Sequence, residues 1–290
     1  MIKKLNIGIL GSGNIGTDLL IKVLRSEHLN CTLFVGRNLN SPGMKKAADL
    51  GVKISDKSIE VFIENPGLCD LVFDATSAAH HIKHAEVLKK LGIRVIDMTP
   101  SQIGRICVPA INGDDCMDEM NINMITCGGQ ASIPIAYVLK KEIPAIDYIE
   151  IVSIISSRSA GPGTRANLDE YIYNTENGAK SLTGCDHIKA ILNLNPANPC
   201  IDMQTTIYAK VDQCDVSKLE QPLAKMVKKI QSYVPGYDIA VAPVHENGRV
   251  MVMVRVQGAG DYLPKYAGNL DIINCAAIAM AEKYALVKGE

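Results

Sequence analysis

The sequence predicts an α/β protein in two parts, the first of which is a doubly wound parallel sheet. A glycine-rich turn directly follows the first apolar run, and short β-rich runs then alternate with helical patterns as far as residue 126. Such alternation is typical of parallel sheets that carry helices on both faces. An alternating strand pattern returns at 148–156, and 290 residues suffice for two domains of ordinary size.

Composition and charge narrow the class of protein. The chain is 47% hydrophobic, has a net charge of -1 and contains no basic block, which argues against nucleic acid or an anionic membrane as its main partner. No run approaches the about 18 apolar residues of a membrane helix, and we expect a cytoplasmic protein. The nine cysteines are odd in number and include no C-x-x-C pair. We therefore expect neither a disulfide framework nor a zinc site.

The first strand and the first helix flank a glycine motif. "KLNIGIL" at 4–10 is a β-rich run, "GSGNIG" at 11–16 has G-x-G-x-x-G spacing, and 17–28 shows helical periodicity. In this motif Gly11 allows the tight turn, Gly13 lets the backbone approach a pyrophosphate, and Gly16 lets helix and strand pack closely. The pattern predicts a Rossmann-type dinucleotide site. The alternative is a glycine-rich turn that binds nothing.

The next elements continue the alternation. We predict strands at 31–36, 69–77 and 93–100 and helices at 43–51 and 80–92. Ligands bind at the carboxyl ends of parallel strands, so Thr76 is expected near the cofactor. The helix at 80–92 begins with several histidines, but apart from a glutamate on the same helix no nearby Cys or carboxylate completes a ligand set. We expect no metal there.

The second strand ends in "VGRNLNS", without the acidic residue that usually holds the ribose 2′-hydroxyl of NAD. Arg37 stands there instead, and its guanidinium is suited to a 2′-phosphate. This favours NADP over NAD. The alternative is a solvent-facing arginine, with the ribose held by backbone groups.

One cysteine stands at a predicted strand-to-helix junction. Residues 120–126 are strand-like, Cys127-Gly128-Gly129 is predicted as a turn, and 131–142 as a helix with Pro134 in its first turn. A thiol at the positive end of a helix has a lowered pKa, and the adjacent N–H groups are placed to hold an oxyanion. The other eight cysteines lack this setting. Local spacing alone still leaves open a core cysteine.

The rest of the second half adds a strand at 148–156, a loop at 157–163 and a helix from Thr164. Arg158 and Arg165 in this stretch are suited to phosphates; the alternative is an ordinary surface loop. Alternating valines at 250–256 predict a strand, and the methionines on its other face predict a helix layer or a subunit interface. A helix rich in small residues is predicted at 270–285.

Six motifs, in this order, carry a resemblance to a known family: "GSGNIGTDLLIKVLR", "DATSA", "TCGGQASIP", "SSRSAGPGTRAN", "VPGY" and "GAGDYLPKYAGNLDI". The chain resembles the acylating acetaldehyde dehydrogenases, which oxidise a short aldehyde to acyl-CoA with a nicotinamide cofactor. The resemblance implies a fold like that of glyceraldehyde-3-phosphate and aspartate-semialdehyde dehydrogenases. We accordingly expect a Rossmann domain at 1–126, a catalytic and dimerisation domain at 127–268, and a C-terminal helix at 269–290 that packs back on the first domain.

The resemblance also implies roles for individual residues. Cys127 would form the acyl thioester, with coenzyme A as the second substrate, and the Asn167 amide would help to hold the oxyanion. The residues expected at the cofactor, from the local patterns and the resemblance together, are Gly11, Ser12, Gly13, Asn14, Ile15, Gly16, Arg37, Thr76, Ser159, Ala160, Gly161, Pro162, Gly163, Thr164, Arg165, Ala166, Asn167 and Asn269. Expected partners are a second copy of the chain and a 4-hydroxy-2-oxovalerate-type aldolase that passes on acetaldehyde.

The chain departs from the family pattern at three places. Thr205 stands where the family typically has an aspartate linked to catalysis, and threonine cannot act as a carboxylate base. The end of the second strand lacks the family's acid, and the segment 241–254 is shorter than usual. Two alternative functions therefore stay open: a phosphorylating semialdehyde dehydrogenase or acyl-phosphate reductase, and a non-catalytic nicotinamide-binding subunit of an aldolase complex. The only histidines after Cys127, His187 and His245, have no recognisable catalytic context.

Overall fold

The computed structural model describes residues 4–161, 164–165 and 167–288. The described chain divides into two units: the first runs up to Met124 and resumes at Asn274, and the second spans Ile125–Ile273. Each unit is built around its own sheet.

The sheet of the first unit is entirely parallel. Its strands are β1 (Leu5–Leu10), β2 (Leu29–Val35), β3 (Ile54–Ser55), β4 (Leu71–Asp74), β5 (Arg94–Asp97), β6 (Arg105–Ile106) and β7 (Asn121–Asn123). They pair in the order β3-β2-β1-β4-β5-β7-β6. The strand order reverses at β1, between β2 and β4, which is where doubly wound sheets bind their ligands. The predicted doubly wound parallel sheet is confirmed.

Helices link these strands, and the core between them is mostly aliphatic. The helices are α1 (Asn14–Arg25), α2 (Pro42–Asp49), α3 (Glu60–Glu64), α4 (Ala78–Lys90) and α5 (Pro109–Asn112). All three phenylalanines of the chain, Phe34, Phe62 and Phe73, are fully buried here. Since the chain has no tryptophan, leucine, isoleucine and valine fill most of the remaining core.

The second unit has a mixed sheet. Its strands are β8 (Tyr148–Ser156), β9 (His187–Asn195), β10 (Met203–Lys210), β11 (Tyr237–Glu246) and β12 (Arg249–Val256). They pair in the order β11-β12-β10-β8-β9, antiparallel except for β8 with β9. Asn247 and Gly248 join β11 to β12, and both have positive φ, 52° and 71°. Such a pair forms a tight two-residue hairpin, with Glu246 paired to Arg249 across it.

Helices cover one face of that sheet. They are α6 (Cys127–Glu142), α7 (Leu168–Thr183) and α8 (Ser217–Gln231); a long helix, α9 (Gly268–Lys288), begins in the second unit and ends in the first. Inward-facing side chains such as Ile151, Ile207 and Val254 are fully or almost fully buried. On the opposite face the apolar side chains of Val152, Ile154, Tyr208, Met251 and Met253 are only half-buried.

The region around Cys127 differs from its prediction. Residues 127–129 form the first turn of α6 rather than a separate turn, and Pro134 therefore lies inside the helix. The preceding strand ends at Asn123 because Ile125 adopts φ of 64°, a left-handed conformation that is rare for a β-branched residue. Among the described helices, none combines the length and the apolar character needed to cross a membrane.

Candidate functional site

Steric contacts explain two of the three glycines in the first turn of the chain. Gly11 has φ of +111°, and a Cβ there would lie 2.4 Å from the Ala75 carbonyl oxygen. A Cβ on Gly16 would lie 1.8 Å from the Gly11 carbonyl oxygen. Gly13 is different, because a Cβ there would meet no atom within 4 Å. Backbone atoms therefore crowd the turn at Gly11 and Gly16, whereas the space beside Gly13 is empty. Gly13 stands directly before the first N–H groups of α1.

A cavity of about 380 Å³ opens over this turn. It lies at the carboxyl ends of β1, β2 and β4, and it brings together Gly11, Ser12, Gly13, Arg37 and Thr76 of the predicted cofactor residues. The Ser12 hydroxyl lies 3.2 Å from that of Ser41, the residue before α2. Arg37 is exposed at the rim. The cavity therefore offers backbone N–H groups, hydroxyls and one guanidinium to an anionic ligand.

Buried aspartates hold the histidines of α4. Asp74 Oδ2 lies 2.9 Å from Nδ1 of His81 and 2.8 Å from Nδ1 of His84. Burial favours the neutral carboxyl, but the bonds to His81 and His84 outweigh it and lower the pKa of Asp74. His81 also lies 3.4 Å from Asp97. Its pKa is raised because the two aspartates outweigh its burial. Within the described chain no group of three or more such side chains is placed to bind a metal ion.

The thiol of Cys127 lies at the first residue of α6. Thr126 caps the helix, since its Oγ1 accepts a hydrogen bond of 2.9 Å from the Gly129 N–H. The same Oγ1 lies 2.7 Å from Oγ1 of Thr175 on α7. Ile125, with its left-handed backbone, packs close to Gly129 and Gly178, whose missing side chains make room for it. The hydrogen bonds of Thr126 and the packing of Ile125 therefore fix the backbone at the start of α6.

The protonation state of Cys127 differs from the prediction. The helix terminus acts in the expected direction, because the N–H groups of Cys127 and Gly128 lower the thiol pKa. Burial nevertheless outweighs them and raises the pKa of Cys127 above its ordinary value. Without substrate, Cys127 is therefore a protonated thiol. The neighbouring donors offset only part of the effect of burial on its pKa.

A short chain of hydroxyls leads from this thiol into the core of the second unit. The Cys127 sulfur lies 3.7 Å from the phenol oxygen of Tyr171, a hydrogen-bond distance for sulfur. The phenol is hydrogen-bonded to Ser153 on β8, and Ser153 Oγ lies 3.0 Å from Oγ1 of Thr205 on β10. Thr205 is fully buried. The residue that replaces the family's expected aspartate is therefore linked to the cysteine through two further side chains.

The loop before α7 is held mainly by its own residues. Ser159 donates to the Ser156 carbonyl, and Arg165 donates to the carbonyls of Ala160 and Ser157. Arg165 is thus used within the loop, at least in part, rather than kept wholly for a ligand. Gly161, Thr164 and Asn167 also lie in or beside the loop. Of the predicted loop residues, Pro162, Gly163 and Ala166 lie outside the described residues.

Asn269 lies at the start of α9 and is almost fully buried, and its Oδ1 has no hydrogen-bond partner among the described residues. A buried amide oxygen without a partner is unfavourable by about 1–3 kcal/mol, so this atom is suited to a ligand.

Sequence reasoning missed Tyr171 and Ser153. The alternation of β8 places Ser153 on the inward face, among isoleucines, where a polar residue is unusual. Tyr171 lies one helical turn after Asn167. Both signals were present in the chain, but neither points to Cys127 without the tertiary contacts.

The fold and the site define a two-part α/β protein that combines a doubly wound parallel sheet with a cysteine at the start of a capped helix. The chain is similar to the crystal structure of aspartate semialdehyde dehydrogenase II from Vibrio cholerae, with a TM-score of 0.64. The match covers 99% of each chain at 12% sequence identity, so the similarity is one of fold alone. Residues 127–264 match the sequence model described as prokaryotic acetaldehyde dehydrogenase, dimerisation. The chain belongs to the acetaldehyde dehydrogenase family, as the following relatives show.

Three relatives named acetaldehyde dehydrogenase match nearly the whole chain. That of Spirochaeta aurantia is 58% identical over 98% of this chain and 95% of its own. That of Pectobacterium atrosepticum is 56% identical over 97% and 95%, and that of Geobacillus stearothermophilus is 47% identical over 98% and 97%. The resemblance seen in the motifs is confirmed, and the chain is an oxidoreductase of the aldehyde dehydrogenase type.

Proposed function

We propose that the protein oxidises a short-chain aldehyde, acetaldehyde or propanal, to acyl-CoA through a thioester on Cys127. The observation that carries this proposal is a cysteine at the first residue of a capped helix, with a hydroxyl and two N–H groups around its sulfur. These donors stabilise a nucleophilic thiolate and oppose the burial that raises the thiol pKa. The names of the relatives support the aldehyde as substrate.

The reaction needs three changes at the cysteine. Cys127 loses its proton to solvent, and the thiolate adds to the aldehyde carbonyl to give a hemithioacetal oxyanion. Loss of hydride from that carbon converts it to a thioester on Cys127. The thiolate of coenzyme A then attacks the thioester, and acyl-CoA leaves as the Cys127 thiolate is restored.

The first turn of α6 is suited to the oxyanion. The N–H groups of Cys127 and Gly128 are oriented towards the sulfur region, whereas the Gly129 N–H is already bonded to Thr126. N–H donors fixed in this way stabilise developing negative charge without reorganisation. We assign the Asn167 amide, at the start of α7, as an additional donor.

A nicotinamide dinucleotide fits the first unit. The open side of Gly13, the cavity of about 380 Å³ and the start of α1 suit its pyrophosphate and adenosine parts, and Thr76 lies in the lining. When bound, the nicotinamide accepts the hydride. Arg37, at the rim where an acidic residue is absent, favours NADP.

A homodimer is the assembly that the second unit supports. The matched sequence model is that of a dimerisation domain. The face of the sheet opposite α6 carries the half-buried side chains of Val152, Ile154, Met251 and Met253, a patch of the kind that pairs with a second copy. We retain an aldolase that supplies acetaldehyde as a further partner, on the basis of the family resemblance.

Steady-state assays test the proposed function. Reduction of NAD and NADP is followed with C2 to C5 aldehydes, with coenzyme A, with phosphate, and with neither. We expect turnover to require coenzyme A, and Cys127→Ser to lower it by about 10³-fold or more. Cys200→Ser, at another half-buried cysteine, is the matched control and should keep full activity. Turnover that persists in Cys127→Ser, or that phosphate supports equally, would contradict the proposal.

A further inference from the structure

We infer that Tyr171 is a catalytic residue whose phenol donates a hydrogen bond to the Cys127 thiolate, and that Ser153 and Thr205 position this phenol. The inference rests on the proposed function only in taking Cys127 as the nucleophile. Its basis is the continuous contact from the Cys127 sulfur to Tyr171, then Ser153, then Thr205. The end of this chain is the residue that departs from the family pattern.

Tyr171 acts as a donor rather than as a base. Burial and the nearby Cys127 sulfur raise the pKa of Tyr171 well above its ordinary value, so the phenol keeps its proton at neutral pH. A protonated phenol 3.7 Å from the sulfur stabilises the ionised thiol more than the neutral one. The phenol accordingly opposes the burial that raises the thiol pKa.

Gly128 provides independent evidence for the importance of this contact. A Cβ on Gly128 would lie 2.1 Å from the Tyr171 phenol oxygen and 3.0 Å from Ser153 Oγ. The glycine at the second residue of α6 therefore leaves the space through which the phenol reaches the sulfur.

Two threonines fix the backbone of Tyr171 relative to the helix that carries Cys127. Thr175 Oγ1 donates to the Tyr171 carbonyl oxygen at 2.8 Å and lies 2.7 Å from Oγ1 of Thr126. Thr126 in turn caps α6 immediately before Cys127. Tyr171 and Cys127 are thus connected by a second route that does not involve the phenol, so removal of the phenol oxygen leaves the frame intact.

The hydroxyl chain is neutral throughout. Around the Cys127 thiol, the groups that act on its pKa in the described structure are the Tyr171 phenol and the N–H groups of Cys127 and Gly128, with no charged side chain among them. Ser153 and Thr205 can orient the phenol but cannot retain the proton of the thiol. The proton therefore goes to solvent, and the chain acts by lowering the energy of the thiolate it leaves behind.

The test measures the thiol pKa directly, without aldehyde, coenzyme A or cofactor. The rate of Cys127 alkylation by iodoacetamide is followed from pH 6 to 10 by mass spectrometry of the peptide that contains it. We expect Tyr171→Phe to move the midpoint of the profile upward by about one pH unit or more, and to slow alkylation below the midpoint by about tenfold. Tyr173→Phe, at an exposed tyrosine on the same helix, should leave the profile unchanged.

Thr205→Val tests the far end of the chain. It removes the hydroxyl and keeps the shape, and we expect an upward shift in the same direction that is smaller than that of Tyr171→Phe. Thr205→Ser keeps the hydroxyl and should restore the wild-type midpoint.

A Tyr171→Phe protein with the wild-type midpoint would overturn the inference, even if its melting temperature were lower, because a purely structural role would not move the thiol pKa. This test does not depend on enzyme turnover. The proposed function is tested separately, by whether the Cys127→Ser protein still turns over aldehyde.

Discussion

Gly13→Ala should separate cofactor binding from folding. Gly13 has φ of -79° and ψ of -171°, a conformation that alanine adopts readily, and a Cβ there meets no atom within 4 Å. Alanine restricts the unfolded chain, which stabilises the protein by about 0.4–1 kcal/mol. Gly13 is also the N-cap of α1, where alanine is less favourable than glycine by a similar amount, so we expect the free energy of unfolding to change by less than about 0.5 kcal/mol. This corresponds to a change in Tm of less than about 2 °C.

The same Cβ occupies the open space through which a pyrophosphate approaches the start of α1. The loss of one hydrogen bond between an N–H and a phosphate is unfavourable by about 1.5–3 kcal/mol. We therefore expect Kd for the nicotinamide cofactor to rise by about 10- to 100-fold. The substitution should thus weaken cofactor binding while stability stays nearly unchanged.

Titration calorimetry with NAD and NADP, together with thermal melting, measures both quantities on one preparation. Gly16→Ala is the matched comparison, because its Cβ would lie 1.8 Å from the Gly11 carbonyl oxygen and should lower stability and affinity together. A Gly13→Ala protein that binds the cofactor with the wild-type Kd would refute the assignment of the open side of this turn to a phosphate.

Three further predictions concern other parts of the molecule. Arg37→Asp should reduce the preference for NADP over NAD at least tenfold in kcat/KM, since it replaces a cation at the cavity rim with an anion; an unchanged ratio would show that Arg37 does not contact the 2′-phosphate. The buried His81 has a raised pKa, so its contribution to stability is present below its unfolded pKa of about 6.5 and is lost as pH rises through the folded value. Asp74, with a lowered pKa, contributes above its unfolded pKa of about 4 and loses this contribution as pH falls further. Melting from pH 3 to 9 should accordingly show a decline on the alkaline side that His81→Asn lacks, and an identical decline in both proteins would exclude His81 as its source. Met253→Asp, on the half-buried face of the second sheet, should convert a dimer to a monomer in light scattering, and a variant that stays dimeric would place the interface elsewhere.

The hydroxyl chain gives a physical reason for a threonine at position 205. The family resemblance implies an aspartate linked to catalysis at this position, and here a buried threonine bonds to Ser153 instead. A carboxylate at the same fully buried place would meet the Ser153 hydroxyl, and burial of a charge that is not paired with a cation is costly. The neutral hydroxyl avoids that cost and still orients the donor at Cys127.

Most secondary structure was predictable because it depends on local patterns. The alternation of apolar and polar residues predicted β8 at its observed bounds of Tyr148–Ser156. The region 120–129 was predicted less well. The left-handed Ile125 ends the strand early, and the Thr126 cap starts the helix at Cys127. A positive φ at a β-branched residue has no local signal, since only the packing of Ile125 beside Gly129 and Gly178 stabilises it.

The family resemblance of the motifs, rather than local spacing, singled out Cys127 as the proposed nucleophile. The sequence by itself determined the parallel sheet and the position of the glycine turn. Each of these depends on residues close together in the chain, whose spacing dictates backbone conformation. Only the tertiary structure decided what surrounds the thiol. Ser153 meets Thr205 because of the register between β8 and β10, and Tyr171 reaches the sulfur because α7 packs against α6 where Gly128 leaves room. Burial then raises the thiol pKa, and burial is a property of packing that no local spacing encodes.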